Sequence, residues 1–253
     1  MNSSQALFEY LQRLADDRLV LGHRISEWCG HGPILEEDIA LSNIALDLIG
    51  HASSLLEYAG HVEGKNRDAD RLAYWRGVRE YRNLKMVELP NGDFGFTMAR
   101  IYLFSTYSRL LYEQLVHSTD GTLRGLSEKA LKEVRYHLRH SRNWMLRLGD
   151  GTDESHRRIQ QSIDDLWMYT GEFFESDEVN DMLSATGIVP DMRDLHKHWE
   201  DEVSDTLQQA TLSHPDNDQH MATGGRNGIH TEHLGYLLGE MQSLTRMYPE
   251  AKW

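Results

Sequence analysis

The sequence predicts an all-α fold, and three observations carry that prediction. Leu, Ala, Glu, Arg and Met are plentiful, and all lose little freedom in a helix, whereas β-branched runs are scarce and there are 5 prolines in the chain. Apolar residues recur at intervals of three and four, which keeps them on one helix face. Clusters of Gly, Pro, Asn and Asp interrupt the pattern at distances suited to helices.

In chain order, the first helix is expected over about residues 5–28. Leu7, Leu11, Leu14, Leu21 and Ile25 form its stripe, and Gly30, Gly32 and Pro33 close it. The second is expected over about 36–61, where Leu41, Ile44, Leu48, Ala52, Leu55 and Ala59 make one continuous amphipathic stripe. A third, aromatic and polar, is expected from Ala69 to about Glu88, stopped by Pro90-Asn91-Gly92. A fourth runs from about Asp93 to His117. It is apolar on most sides, so it belongs at the centre of the fold. Thr119-Asp120-Gly121 breaks it. A fifth is expected over 122–148, closed by Gly149-Asp150-Gly151. A sixth starts with Thr152 or Asp153 as its cap and runs to about Phe174. A short helix follows at about 177–184 and another at about 191–213. Residues 213–228, rich in Gly, Asn, Asp and His, are expected as loop, and Glu232 to about Met247 as the last helix.

The chain has 253 residues, and neither an internal repeat nor a linker divides it. One domain spanning residues 1–253 is therefore expected. It should contain eight to ten helices, with neighbours antiparallel because the turns are short. A net charge of −14 argues against nucleic acid and anionic membranes as partners. A single cysteine, Cys29, excludes an internal disulfide and any CxxC site, as suits a reducing compartment. No stretch reads as a membrane span and the first residues do not read as a signal peptide, so a cytoplasmic location is expected. P-loop, GxGxxG, GxSxG and HExxH patterns are absent, which leaves nucleotide hydrolysis, dinucleotide binding and triad chemistry without support.

Long helices with inward carboxylates invite comparison with di-metal bundles. There, two helices each give a Glu and two others each give a Glu-x-x-His pair on one face. Here Asp47 is followed three residues on by Gly50, and Glu133 by Tyr136. His51 and His137 stand at i+4 instead, about 100° further around the helix than i+3. The first helix can add Asp16 or Asp17. The fourth has no carboxylate between Phe94 and Leu111, and offers Arg100, Tyr102 and Tyr107 in their place. Asp17, Asp47, His51, Glu133 and His137 are therefore expected as a vestigial di-metal layer, neutralised by arginine, tyrosine and histidine. No catalytic residue and no metal ligand is assigned in this chain.

Other groups carry less chemistry. Cys29, His31 and His23 fit a helix-end loop better than a metal site. His230 and His233 share i, i+3 spacing but straddle a helix start, where Thr231 can cap and Glu232 complements the helix dipole. Lys129, Lys132, Arg135, Arg139 and Arg142 form a basic stripe at 3-3-4-3 spacing on an acidic chain. The stripe, together with His230, Glu232 and His233, is a candidate for docking a subunit or an anionic ligand.

Four blocks then resemble a known family: EWCGHGPILEEDIALSNIALDLIGHA, VELPNGDFGFTMAR, KALKEVRYHLRHSRNWMLRLGDGT, and GGRNGIHTEHLGYLLGEMQ with the terminal Trp253. They are similar to the PaaC family, the C subunits of phenylacetyl-CoA oxygenase (1,2-phenylacetyl-CoA epoxidase). The resemblance implies a ferritin-like helical bundle with additional C-terminal helices. It also implies a place in a multicomponent monooxygenase of phenylacetate catabolism that epoxidises the ring of phenylacetyl-CoA. In that system the A subunit holds the di-iron centre and binds the CoA thioester, a B subunit bridges, and a reductase delivers electrons from NADPH. The C subunit holds no cofactor and braces the A subunit. The third and fourth helical blocks and the HTEHLG segment are expected at subunit interfaces, in a homodimer or hetero-oligomer. Two alternatives stay open: a CoA-thioester binding module, and a di-metal carboxylate oxygenase in its own right.

Overall fold

The structure is a computed structural model that describes residues 1–216 and 220–251. Among the described residues every regular element is helical, as a ferritin-like bundle requires. The chain forms two compact units, Met1–Pro90 with Gly224–Trp253, and Asn91–Thr223. Each is built on one pair of long helices joined by a short loop, and so antiparallel.

In the first unit the pair is α1 (Ser3–Ser26) and α2 (Leu35–Glu63). Asn2 caps α1, accepting from the Gln5 backbone N–H while the Gln5 side chain accepts from the Asn2 N–H. Ile34, at the N-cap of α2, has no side chain able to cap, and Glu36, Glu37 and Asp38 complement the dipole there. The stripes of both helices are buried, from Leu7 to Ile25 and from Leu41 to Ala59. By length and composition α2 could cross a membrane, with a window of mean hydropathy 1.4, which corrects the expectation that no stretch approaches that length. Half of that window is buried, as in the core helix of a folded domain.

The third block is not one helix. It becomes α3 (Ala69–Tyr74), a 3-10 turn at Val78–Glu80, and α4 (Lys85–Glu88), with extended backbone at Tyr81 and Leu84. The reason is long-range. The Arg82 N–H donates to Asp16 at 2.8 Å and the Leu84 N–H to Asp17 at 2.8 Å, both on α1. A continuous helix would need those same donors for its i−4 ladder. Helical spacing set the expectation, and buried carboxylates overrode it.

The second unit holds α5 (Phe94–Leu115) and α6 (Gly121–Gly149), capped by Asp93 and Asp120. α7 (Asp153–Trp167) starts at its Thr152 cap, as expected, but stops seven residues short of Phe174. The Met168 carbonyl accepts from the Ala222 N–H at 2.7 Å, and the Thr170 hydroxyl turns back to the Trp167 carbonyl. Only a 3-10 turn at Gly171–Phe174 follows. α8 (Glu178–Ser184) and α9 (Met192–Gln209) complete the unit. Its core is aromatic: Phe104, Tyr107, Phe173 and Trp199 meet at ring distances of 4.9–6.4 Å, and the Trp199 indole donates to the Leu103 carbonyl. α5 is buried on most sides within the chain. The apolar face it was expected to offer a partner is therefore not exposed.

The return of the chain to the first unit begins at Gly224, with a 3-10 turn at Gly225–Asn227 and then α10 (Glu232–Met247). Described residues between 213 and 228 contain no α-helix, in line with the loop expected there; residues 217–219 and Trp253 lie outside the described residues. Gly228 has φ +74°, and a Cβ there would fall on the Arg79 carbonyl. Gly239, on the outer side of α10, has nothing near the place of a Cβ. Gly228→Ala is expected to destabilise the protein by about 2–4 kcal/mol, whereas Gly239→Ala should stabilise it by up to about 1 kcal/mol. Urea denaturation of the two variants checks both signs.

Candidate functional site

The chemistry of the first unit gathers at the middle of α1. Asp16 and Asp17 are adjacent and both fully buried. An isolated carboxylate in such a place would cost several kcal/mol, so each is met by a cation and by backbone donors. Arg76 donates to both oxygens of Asp16, through Nη1 at 2.9 Å and through a second, shorter bond from Nη2. The Arg82 N–H adds a third bond. Burial opposes the Arg76 charge, and the Asp16 carboxylate beside it more than compensates, so the guanidinium pKa is raised. Asp17 receives Arg226 in bidentate fashion, with both contacts at 2.9 Å, and the Leu84 N–H at 2.8 Å. Arg226 also donates to the carbonyls of Arg82, at 2.7 Å, and Arg13, at 3.3 Å.

A second buried group lies at the start of α10. Glu88 accepts from Asn83 at 2.9 Å, from the Thr231 N–H at 2.5 Å, and pairs with His230 Nδ1 at 2.9 Å. The other His230 nitrogen, Nε2, lies 3.0 Å from the Tyr81 carbonyl. Arg24 donates to the carbonyls of Glu88 and His233. The two groups together tie the segment from Gly224 to α10 onto α1 and the α3–α4 region.

Of the candidate di-metal layer, Asp17 is thus committed to arginine. Asp47 is half-buried and His51 buried on α2, while Glu133 is half-buried and His137 buried on α6. Among the described residues no three His, Cys, Asp or Glu side chains gather closely enough to hold a metal ion. Asp16 and Asp17 each accept three N–H bonds, two of them from one arginine, so these two carboxylates do not fit as ligands of a metal pair. The arginines that grip Asp16 and Asp17 through both oxygens, Arg76 and Arg226, were not among the sequence candidates, and neither was Glu88. A glycine-flanked arginine in GGRNG was the one available signal. Arg100, one of the residues expected to neutralise the layer, is fully buried, and one of its N–H groups donates to the Asn91 side chain.

The other candidates divide. His230 does not reach the surface: its side chain is 0 % exposed, which removes it as a docking residue. Thr231 stands at the N-cap of α10, yet its hydroxyl caps nothing; its backbone N–H goes to Glu88. Glu232 is exposed in the first turn, and His233 is half-buried. Lys129, Lys132, Arg135 and Arg139 are exposed along α6. Arg142 is half-buried and bonds Thr206 and Gln209 at 3.0 and 2.9 Å, so it serves the packing of α6 on α9. Cys29 is exposed, and the ring of His31 lies against the Cys29 carbonyl. Asp38 organises that loop: hydrogen bonds from the Gly30 and Gly32 N–H groups lower its pKa.

Arg226→Met leaves Asp17 buried beside a methionine. A loss of about 3–5 kcal/mol is expected, with a smaller loss in the double variant Asp17→Asn with Arg226→Met, because the asparagine oxygen still accepts from Leu84. Denaturant titration measures both. A cost below about 1 kcal/mol for the single variant would contradict the assignment.

Comparison with known proteins places this geometry. The family model described as phenylacetic acid catabolic protein matches residues 1–253. The chain is 48 % identical over 247 residues to the C subunit of 1,2-phenylacetyl-CoA epoxidase from Escherichia coli (strain K12), covering 98 % of this chain and 99 % of that protein. An all-α chain with its inward carboxylates bound to arginine thus belongs to the PaaA_PaaC family of phenylacetic acid catabolic proteins.

Proposed function

We propose that this chain is the C subunit of a 1,2-phenylacetyl-CoA epoxidase, a structural and non-catalytic member of a cytoplasmic oxidoreductase complex. The near full-length identity to a protein of that name carries the reading. In it, a separate A subunit holds the di-iron centre and the CoA thioester, a B subunit bridges, and a reductase supplies electrons from NADPH. This chain braces the A subunit.

Two features support the bracing role. The carboxylates of α1 are spent on arginines, so they hold the unit together and have no capacity left for a reacting group. Large apolar side chains stand in water on two helices of the first unit: Leu35 and Leu46 on α2 are 72 % and 66 % exposed, and Tyr236 on α10 is 72 % exposed. Such patches mark contacts with other proteins. They lie on different elements from the third and fourth blocks expected to serve, and Tyr236 stands one residue beyond the HTEHLG segment.

The test is reconstitution. The A subunit with B and the reductase, but without this chain, is expected to lose phenylacetyl-CoA-dependent NADPH oxidation, and adding this chain should restore it. The chain alone should be inactive, with iron well below one per polypeptide after anaerobic loading. Turnover by the isolated chain with two irons bound would overturn the proposal in favour of a di-metal oxygenase.

A further inference from the structure

The side of α6 that its own unit leaves in water is basic, although the chain as a whole carries −14. We propose that this face docks an acidic surface of a different polypeptide. The inference rests on the subunit reading only in that a partner chain must exist. Arg124, Lys129, Lys132, Arg135, Arg139 and Arg147 are exposed on the helix, and Glu128 is its only exposed carboxylate. Arg135 has a weak internal partner, Glu113 at 3.1 Å, and its side chain stays 58 % exposed.

The stripe has the anatomy of an interface as well as its charge. The Arg139 guanidinium sits 5.6 Å from the Tyr136 ring, and that of Arg147 sits 5.4 Å from the Trp144 ring. At these distances each ring face attracts its guanidinium, and both arginines remain exposed. Arginine, tyrosine and tryptophan are the residues that dominate binding energy at protein contacts. A flexible solvated face has no need of such pairs.

Length and charge decide the occupant. Arg124 to Arg147 spans about 35 Å at 1.5 Å per residue. A nucleic acid or a membrane runs beyond that length and would press its phosphates onto the acidic remainder of the chain. A folded protein can confine its carboxylates to the stripe. A second copy fits badly: a two-fold contact through this face sets base against base, and a contact with some other acidic face of a copy does not close.

The test uses the A and B subunits of the epoxidase as probes, with affinity measured at 50 and 300 mM salt. The stripe variant is Lys132→Glu with Arg139→Glu, whose side chains are exposed. The control, Arg157→Glu with Lys197→Glu, makes the same change in net charge elsewhere on the unit. The proposal expects about 10-fold or greater weakening by the stripe variant, less than about threefold by the control, and weaker wild-type binding at the higher salt. Circular dichroism confirms that both variants fold. A stripe variant that binds like wild type overturns this proposal and leaves the subunit reading intact. A wild-type chain that binds neither subunit overturns both. Binding of duplex DNA, or self-association, that the stripe variant abolishes would assign the face to another partner and also overturn it.

Discussion

Two negative charges on consecutive residues in the buried middle of a helix are the constraint on which the first unit depends. Asp16 and Asp17 point to different sides of α1, since neighbours on a helix diverge by about 100°. Each must be neutralised from its own side. Arg76, leaving α3, reaches the first, and Arg226, returning from the far end of the chain, reaches the second. The irregular path between α3 and α4 follows from the same demand, because its N–H groups turn to the carboxylates instead of to a helical ladder.

That constraint also explains how residues more than 200 positions apart in sequence become one unit. The α1–α2 pair is an apolar zipper that any two amphipathic helices could make. What specifies the third partner is polar: the Arg226–Asp17 fork, the Glu88 group around His230, and Arg24 on the His233 carbonyl. Buried ion pairs add little net stability against a hydrophobic alternative, yet they penalise any arrangement that leaves a charge unpaired. Position is therefore held tightly, which suits a subunit proposed to brace another.

Much of the fold was legible. The last helix has the bounds its pattern gave, and the long helices differ from expectation by a few residues at their ends. Local signals sufficed there: stripes at helical spacing, and side chains such as Thr152 that cap within one turn. The failures share a cause. Residues 69–88 and 168–174 look helical locally, but distant groups claim their backbone donors and acceptors. The candidate site was legible in kind and not in partner. That inward carboxylates would need cations was readable; that these would be Arg76 and Arg226 was not.

Composition and periodicity by themselves determined the helical class, the stripes that are buried, and the basic line along α6, because these depend on residues within a turn or two of one another. The four long sequence blocks were enough to suggest the family. Only the tertiary structure decided that His230 is interior, that α5 is covered within the chain, and that the apolar surface lies on α2 and α10. Burial and ion pairing are set by what arrives from elsewhere in the chain, and spacing along one helix carries no record of that arrival.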